Sequence, residues 1–107
     1  MGLPSLTHLQ CLILSILMDG EQSGRDVRAQ LAKHGDRKTG PAFYQLMSRL
    51  EDSGSVEGWY DQKIVDGQII KQRRYKITGD GITAVKETQA FYADLPRHGL
   101  RGGLSHA

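Results

Sequence analysis

The pair Asp66-Gly67 stands between two runs rich in β-branched and aromatic residues, and most of the remaining sequence is patterned at helical spacing. Asp-Gly enters the left-handed backbone of a two-residue reverse turn with little strain, so it predicts a hairpin between residues 55–65 and 69–78. The first run holds Val56, Trp59 and Tyr60; the second holds Ile69, Ile70, Tyr75 and Ile77. A chain of 107 residues is the size of one domain with a small core, so burial against a second subunit would add stability. One hairpin in such a chain makes it mainly α.

Four segments flank that hairpin. Residues 5–18 place Leu6, Leu9, Leu12, Ile13, Ile16 and Leu17 at helical spacing, with Cys11, Leu14 and Met18 on another side. A helix apolar nearly all round needs burial all round, by its own domain and by a partner. Ser23, with Asp26 three residues on, is an N-cap pattern for a second helix carrying Val27 and Leu31 and ending at Gly35. Thr39-Gly40-Pro41 opens a third, whose Phe43, Leu46, Met47 and Leu50 form one face and whose Gly54 ends it. After the hairpin, Thr78 or Asp80 caps a last helix. It carries two stripes, Ile82, Val85, Gln89 and Tyr92, and Ala84, Thr88, Phe91 and Leu95, and Pro96 stops it. Two stripes again call for two packing partners. The division expected is a domain over 1–78, a joining helix over 79–96 and a flexible tail over 97–107.

Composition and motifs narrow the function classes. A hydrophobic fraction of 38% with 24% charged residues describes a folded chain, not a disordered one. The apolar run over residues 9–18 is far below the roughly 20 residues of a membrane span, and residues 1–25 lack the basic start of a signal peptide. A cytoplasmic location is the expectation. One cysteine excludes a disulfide framework. His8 and Cys11 lie three apart on a helix, and two ligands do not make a metal site. Neither a P-loop nor a Ser/His/Asp grouping in a strand-turn-helix setting is present, so the chain reads as no enzyme, with no metal and no cofactor.

Charge is distributed unevenly. The net charge is only +2, yet residues 63–76 hold Lys63, Lys71, Arg73, Arg74 and Lys76 against Asp66 alone, while the rest is close to balanced. A local basic patch on a near-neutral protein fits a polyanion docked at one place. The order helix, helix, helix, hairpin, helix, with a basic hairpin arm, is that of a winged helix-turn-helix with N-terminal and C-terminal dimerisation helices. A helix fits the DNA major groove, and a basic hairpin can reach the adjacent backbone.

Ser23-Gly24, Phe43-Tyr44, Arg49-Leu50-Glu51, Gly54-Ser55-Val56 and Arg73-Arg74-Tyr75-Lys76-Ile77-Thr78 with Gly81, in this order and spacing, give the chain its likeness to a known family. Over about residues 9–92 it resembles the PadR family of bacterial transcriptional regulators, in its short form with one C-terminal helix. The resemblance implies a dimer that represses by occupying an operator, with the last helix joining the subunits.

In that arrangement Tyr44, Gln45, Ser48 and Arg49 form the face of the third helix offered to the groove. Gln45 and Arg49 suit base edges, since Gln pairs with adenine and Arg with guanine, while Tyr44 and Ser48 suit phosphates. Arg37, Lys38 and Thr39, just before that helix, also suit phosphates. Lys63, Lys71 and Arg74 are the wing cations. Arg74 and Lys76 should face solvent, and Arg73, sharing a face with Tyr75, is expected to pair with Glu57 or Asp61. Trp59 and Tyr75 read as core. Leu14, Met18, Val85, Phe91, Tyr92 and Leu95 are the expected dimer interface, within which Leu14, Met18, Phe91 and Tyr92 form either a filled core or a cavity for a small apolar effector. The function expected is that of a sequence-specific DNA-binding regulator, a dimeric repressor on a pseudo-palindromic operator. The competing class is a winged-helix module that binds protein instead of DNA.

Overall fold

A computed structural model describes residues 5–95 and contains seven elements: α1 (His8–Leu17), β1 (Gln22–Ser23), α2 (Gly24–Lys33), α3 (Gly40–Asp52), β2 (Val56–Val65), β3 (Gln68–Ile77) and α4 (Gly79–Leu95). Helix starts follow local chemistry. Thr7 and Gln10 cap α1 reciprocally, each side chain accepting from the other's amide at 3.1 and 3.0 Å. Ser23 Oγ accepts from the Asp26 amide at 3.0 Å, and Thr39 Oγ1 accepts from the Ala42 amide at 3.3 Å with Pro41 in the first turn. Thr78 Oγ1 accepts from the Gly81 amide at 3.0 Å, which makes Thr78 and not Asp80 the residue serving α4.

The hairpin has the expected turn. Asp66 and Gly67 both take positive φ, 52° and 77°, as the tight I′ turn requires. From it β2 and β3 pair antiparallel from Val65↔Gln68 to Val56↔Ile77. A third strand, β1, was not expected: two residues pair with Tyr75 and Arg74, giving the sheet order β1-β3-β2. Gln22 fixes this strand to its surroundings, donating to the Ile16 carbonyl at 2.9 Å and accepting from Gln30.

Each helix sends one face into a single core of Ile13, Leu14, Ile16, Leu17, Val27, Leu31, Phe43, Met47, Leu50, Val56, Tyr75 and Val85. Two expected interface residues belong here. Leu14 and Val85 are wholly buried within one protomer, so neither has surface left for a second subunit. The all-apolar character of α1 conceals which side faces inward, and the inward side is Ile13, Leu14, Ile16 and Leu17. Leu14 therefore takes no part in lining a cavity between subunits. Met18 and Tyr92 are exposed, and Phe91 and Leu95 are half-buried. Trp59 is also outside the core. It pairs across the hairpin with Arg74, one residue out of phase with Gly58 and Tyr75, and alternation turns it to the other sheet face. The tail over 97–107 and Pro96 lie outside the described residues.

At Gly81, α4 lies close against the backbone that leads into the hairpin. A Cβ there would come within 2.2 Å of the Ser55 carbonyl oxygen and 2.7 Å of the Ile77 side chain. The same carbonyl accepts from the Thr78 amide at 3.0 Å, so this backbone cannot withdraw cheaply. Gly81→Ala is expected to destabilise the fold by about 2 kcal/mol, in the range of core overpacking, despite alanine's better helix propensity. Denaturant midpoints of the two proteins check this.

Candidate nucleic-acid interface

The outward side of α3 is set by its buried side. Phe43, Met47 and Leu50 anchor the helix in the core, which leaves Tyr44, Gln45, Ser48 and Arg49 exposed. Gln45 and Arg49 are one helical turn apart and point out together. Tyr44 is less available than its neighbours: it packs edge-on against Phe43 with ring centroids 5.1 Å apart. Its ring also occupies the space over Gly24, where a Cβ would lie 2.9 Å from the ring edge. Glycine at the start of α2 thus admits Tyr44 and Tyr75 side by side.

The hairpin stands beside α3, and its two faces differ. Val56, Gly58, Tyr60, Gln62 and Ile64 share one face with Ile77, Tyr75, Arg73, Lys71 and Ile69. The root of that face packs into the core, and its middle borders a hollow of about 450 Å³ lined by Tyr44, Ser48, Glu51, Tyr60, Lys71, Arg73 and Tyr75. Of the residues expected from sequence, Tyr44, Ser48 and Lys71 therefore come together between helix and wing. Lys63 and Arg74 alternate onto the opposite face. Arg74 does not face solvent as expected: its side chain is 20% exposed, with Nη2 3.9 Å from Glu21 Oε1. Arg37 and Thr39 are exposed before α3, and Lys38 Nζ sits 3.3 Å from Asp36.

Arg73 has a different partner from the two expected. Its Nη2 donates to both carboxylate oxygens of Glu51, at 2.9 and 2.8 Å, and so ties the wing to the last turn of α3. Glu57 and Asp61 fall on the other sheet face, opposite Lys76 and Gln72. Glu57 is 3.4 Å from Lys76 Nζ. Arg73 also lies over the rings of Tyr60 and Tyr75, at 4.9 and 5.6 Å from their centroids. The bond to Glu51 raises the guanidinium pKa above its ordinary value, outweighing the burial that lowers it. Burial raises the Tyr75 phenol, and Arg73 opposes that shift. Gly58 makes room for the pair: a Cβ there would come within 2.8 Å of both Arg73 Nη2 and Glu51 Oε1.

The wing tip is apolar. Ile64 and Ile69 are 78% and 69% exposed, ahead of Lys63 and Lys71, so the arm is basic along its length but not at its end. Among the described residues no group of three or more His, Cys, Asp or Glu could hold a metal, and no helix is long and apolar enough to cross a membrane.

These elements make a winged helix-turn-helix: α2 and α3 form the paired helices, and β2 and β3 the wing. No family model matches the chain, and no curated protein does. Solved structures do. A PadR family transcriptional regulator from Eggerthella lenta superposes with a TM-score of 0.67 at 26% identity, over 92% of this chain and 79% of that one. A PadR-like transcriptional regulator from Bacillus cereus gives 0.69 at 23%, over 92% of each chain. A PadR family regulator from Clostridium difficile gives 0.71 at 16%, over 85% of this chain and 93% of that one. The fold is PadR-like.

The Arg73–Glu51 pair is partly shielded, with side chains 23% and 26% exposed. A double-mutant cycle with Arg73→Met and Glu51→Gln is expected to give a coupling of about 1 kcal/mol in urea unfolding. A coupling of zero would mean that the pair does not hold the wing.

Proposed function

We propose that this chain is a DNA-binding transcriptional regulator, acting as a dimeric repressor on a pseudo-palindromic operator. The observation that carries the proposal is the joint placement of the exposed α3 face and the wing. Gln45 and Arg49 project from a helix whose other side is locked in the core, and Arg73–Glu51 holds a Lys-bearing wing at a set distance beside it. The PadR-like structures, described as transcriptional regulators, support the same class of function. In this role Gln45 and Arg49 read base edges in the major groove. Tyr44, Ser48, Arg37, Lys38 and Thr39 meet phosphates, and Lys71 and Lys63 follow the backbone from the wing. Arg74, drawn to Glu21, contributes charge more than direct contact. Such a protein works where the chromosome is, in the cytoplasm.

The dimer is proposed to form through α4 with the outer side of α1. Met18, Phe91, Tyr92 and Leu95 are the surface for it, since Leu14 and Val85 are used within the protomer. Two α3 helices then face successive major grooves about 34–36 Å apart.

Titration of the protein against its own upstream DNA and a scrambled duplex, at two salt concentrations, tests the function. The expected result is preference for the upstream duplex that persists at the higher salt. Lys71→Glu should weaken both complexes alike and flatten the salt dependence. Equal, weak binding to both duplexes, lost with salt, would instead move a protein partner to the front. Sedimentation tests the assembly separately: Phe91→Asp is expected to be monomeric, and a fully dimeric variant would remove α4 from the interface.

A further inference from the structure

We infer that the wing tip is an apolar wedge, with Ile64 and Ile69 entering the DNA minor groove and unstacking a base step there. This role rests on the proposed function and adds to it a contact that carries no charge. Ile64 and Ile69 are cross-strand partners and the two most exposed large apolar side chains among the described residues. The hairpin does not need them. Asp66-Gly67 makes the turn, and Val56 and Tyr75 hold the root in the core. Threonine has the same branched stem and suits a strand equally well, without exposing as much hydrocarbon. Charged side chains commonly blunt an exposed ribbon, yet here they stand behind an apolar end.

Place and shape suit a minor groove. The pair lies on the sheet face that carries Lys71 and Arg73, the face bordering the hollow beside α3. Ile64 is six residues beyond Gly58, so it stands about 20 Å past the level of the Arg73–Glu51 bond. With α3 in a major groove, the adjacent minor groove is half a turn away, roughly 17 Å. The wing then crosses the intervening backbone. Lys71, two residues behind Ile69 on the same face, falls about 7 Å short of the tip and over the phosphates. Opposed residues of a ribbon have Cβ atoms about 4.5–5.5 Å apart, close to the roughly 6 Å width of the minor groove. Two branched side chains at that spacing fill the groove from wall to wall and press on its floor. Isoleucine is among the side chains that wedge between base pairs from this groove, and the opened step kinks.

The size of the tip decides against other occupants. Ile64, Val65, Ile69 and Ile70 make a patch far smaller than the roughly 1,000 Å² of a stable protein contact, whereas a base step takes only a side chain or two. Pyrimidine–purine steps unstack most readily, so the wedge favours TA and CA/TG steps half a turn from each α3 site.

The full chain is compared with Ile64→Thr/Ile69→Thr, which keeps the branched stems, and with Ile64→Leu/Ile69→Leu, which keeps the hydrocarbon. Circular dichroism and sedimentation check both variants. Upstream and scrambled duplexes are titrated at two salt concentrations, and the complexes are treated with permanganate, which oxidises unstacked thymines. Every favoured step contains a thymine. The wild type is expected to make thymines hyper-reactive at one step beside each half-site of the upstream duplex, and the leucine variant to retain this. The threonine variant is expected to lose it and to bind that duplex roughly tenfold more weakly, with the salt slope unchanged because no charge is altered. Tight wild-type binding to the upstream duplex without a hyper-reactive thymine overturns the inference and leaves the proposed function standing. A threonine variant that matches the wild type overturns it too. Loss of self-association in the threonine variant, with DNA reactivity intact, assigns the tip to a second copy and likewise overturns it. Wild type that binds both duplexes equally and weakly overturns the proposed function, and the wedge with it.

Discussion

The Arg73–Glu51 pair, given room by Gly58, is the one side-chain bond among those described that joins the middle of the hairpin to the last turn of α3. A two-stranded ribbon on its own is marginally stable and twists freely. Here its root is sealed by Val56 and Tyr75 in the core, and its middle is pinned by a charge-assisted bond to the last turn of α3. Both faces of the pin are ordered: Tyr60 and Tyr75 flank the guanidinium, and the missing side chain at residue 58 leaves it room. Glu51, Tyr60, Arg73 and Tyr75 of this pin also line the hollow that Tyr44, Ser48 and Lys71 border.

The parts of the fold that depend on near neighbours were legible in the sequence. Ser23, Thr39 and Asp66-Gly67 act within three residues of themselves, and each does what its chemistry dictates. The parts that depend on distant neighbours were not. Glu51 and Arg73 are separated by a whole strand and a turn, and nothing local pairs them. Strand parity did hold the means to reject Glu57 and Asp61, since Arg73 and Tyr75 share a face that neither can reach. Strand β1 escaped because two residues cannot show a period. Leu14 and Val85 were assigned to a partner because periodicity states that a face is apolar and not which neighbour covers it.

Charge is arranged differently in space than along the chain. Summed along the chain, residues 1–62 look slightly acidic, because Asp19, Glu21, Asp26 and Asp36 are mixed with the basic residues. In three dimensions Arg25 and Arg28 of α2 meet Arg37 and Lys38 of the connector around one hollow, and Asp26 and Lys33 border another. The wing, whose surplus was evident in sequence, divides its cations between two faces and spends Arg73 and Arg74 on internal partners. The candidate interface is therefore spread more evenly over α2, α3 and β3 than linear charge suggests.

The tight seat of Gly81 on Ser55 has a mechanical consequence. Ser55 follows α3 almost directly, so the root of α4 is fastened to the C-terminal end of α3. Seventeen residues of α4 extend about 25 Å from that point. A tilt of about 10° at the root displaces the far end by roughly 4 Å over such a length. If α4 joins two subunits, the angle at this one glycine becomes the gauge of the pair, setting how far apart their α3 helices stand. On the operator proposed above, a stiff pivot of this kind would make a narrow tolerance for half-site spacing, and one extra carbon at its contact point would be felt far from where it was added.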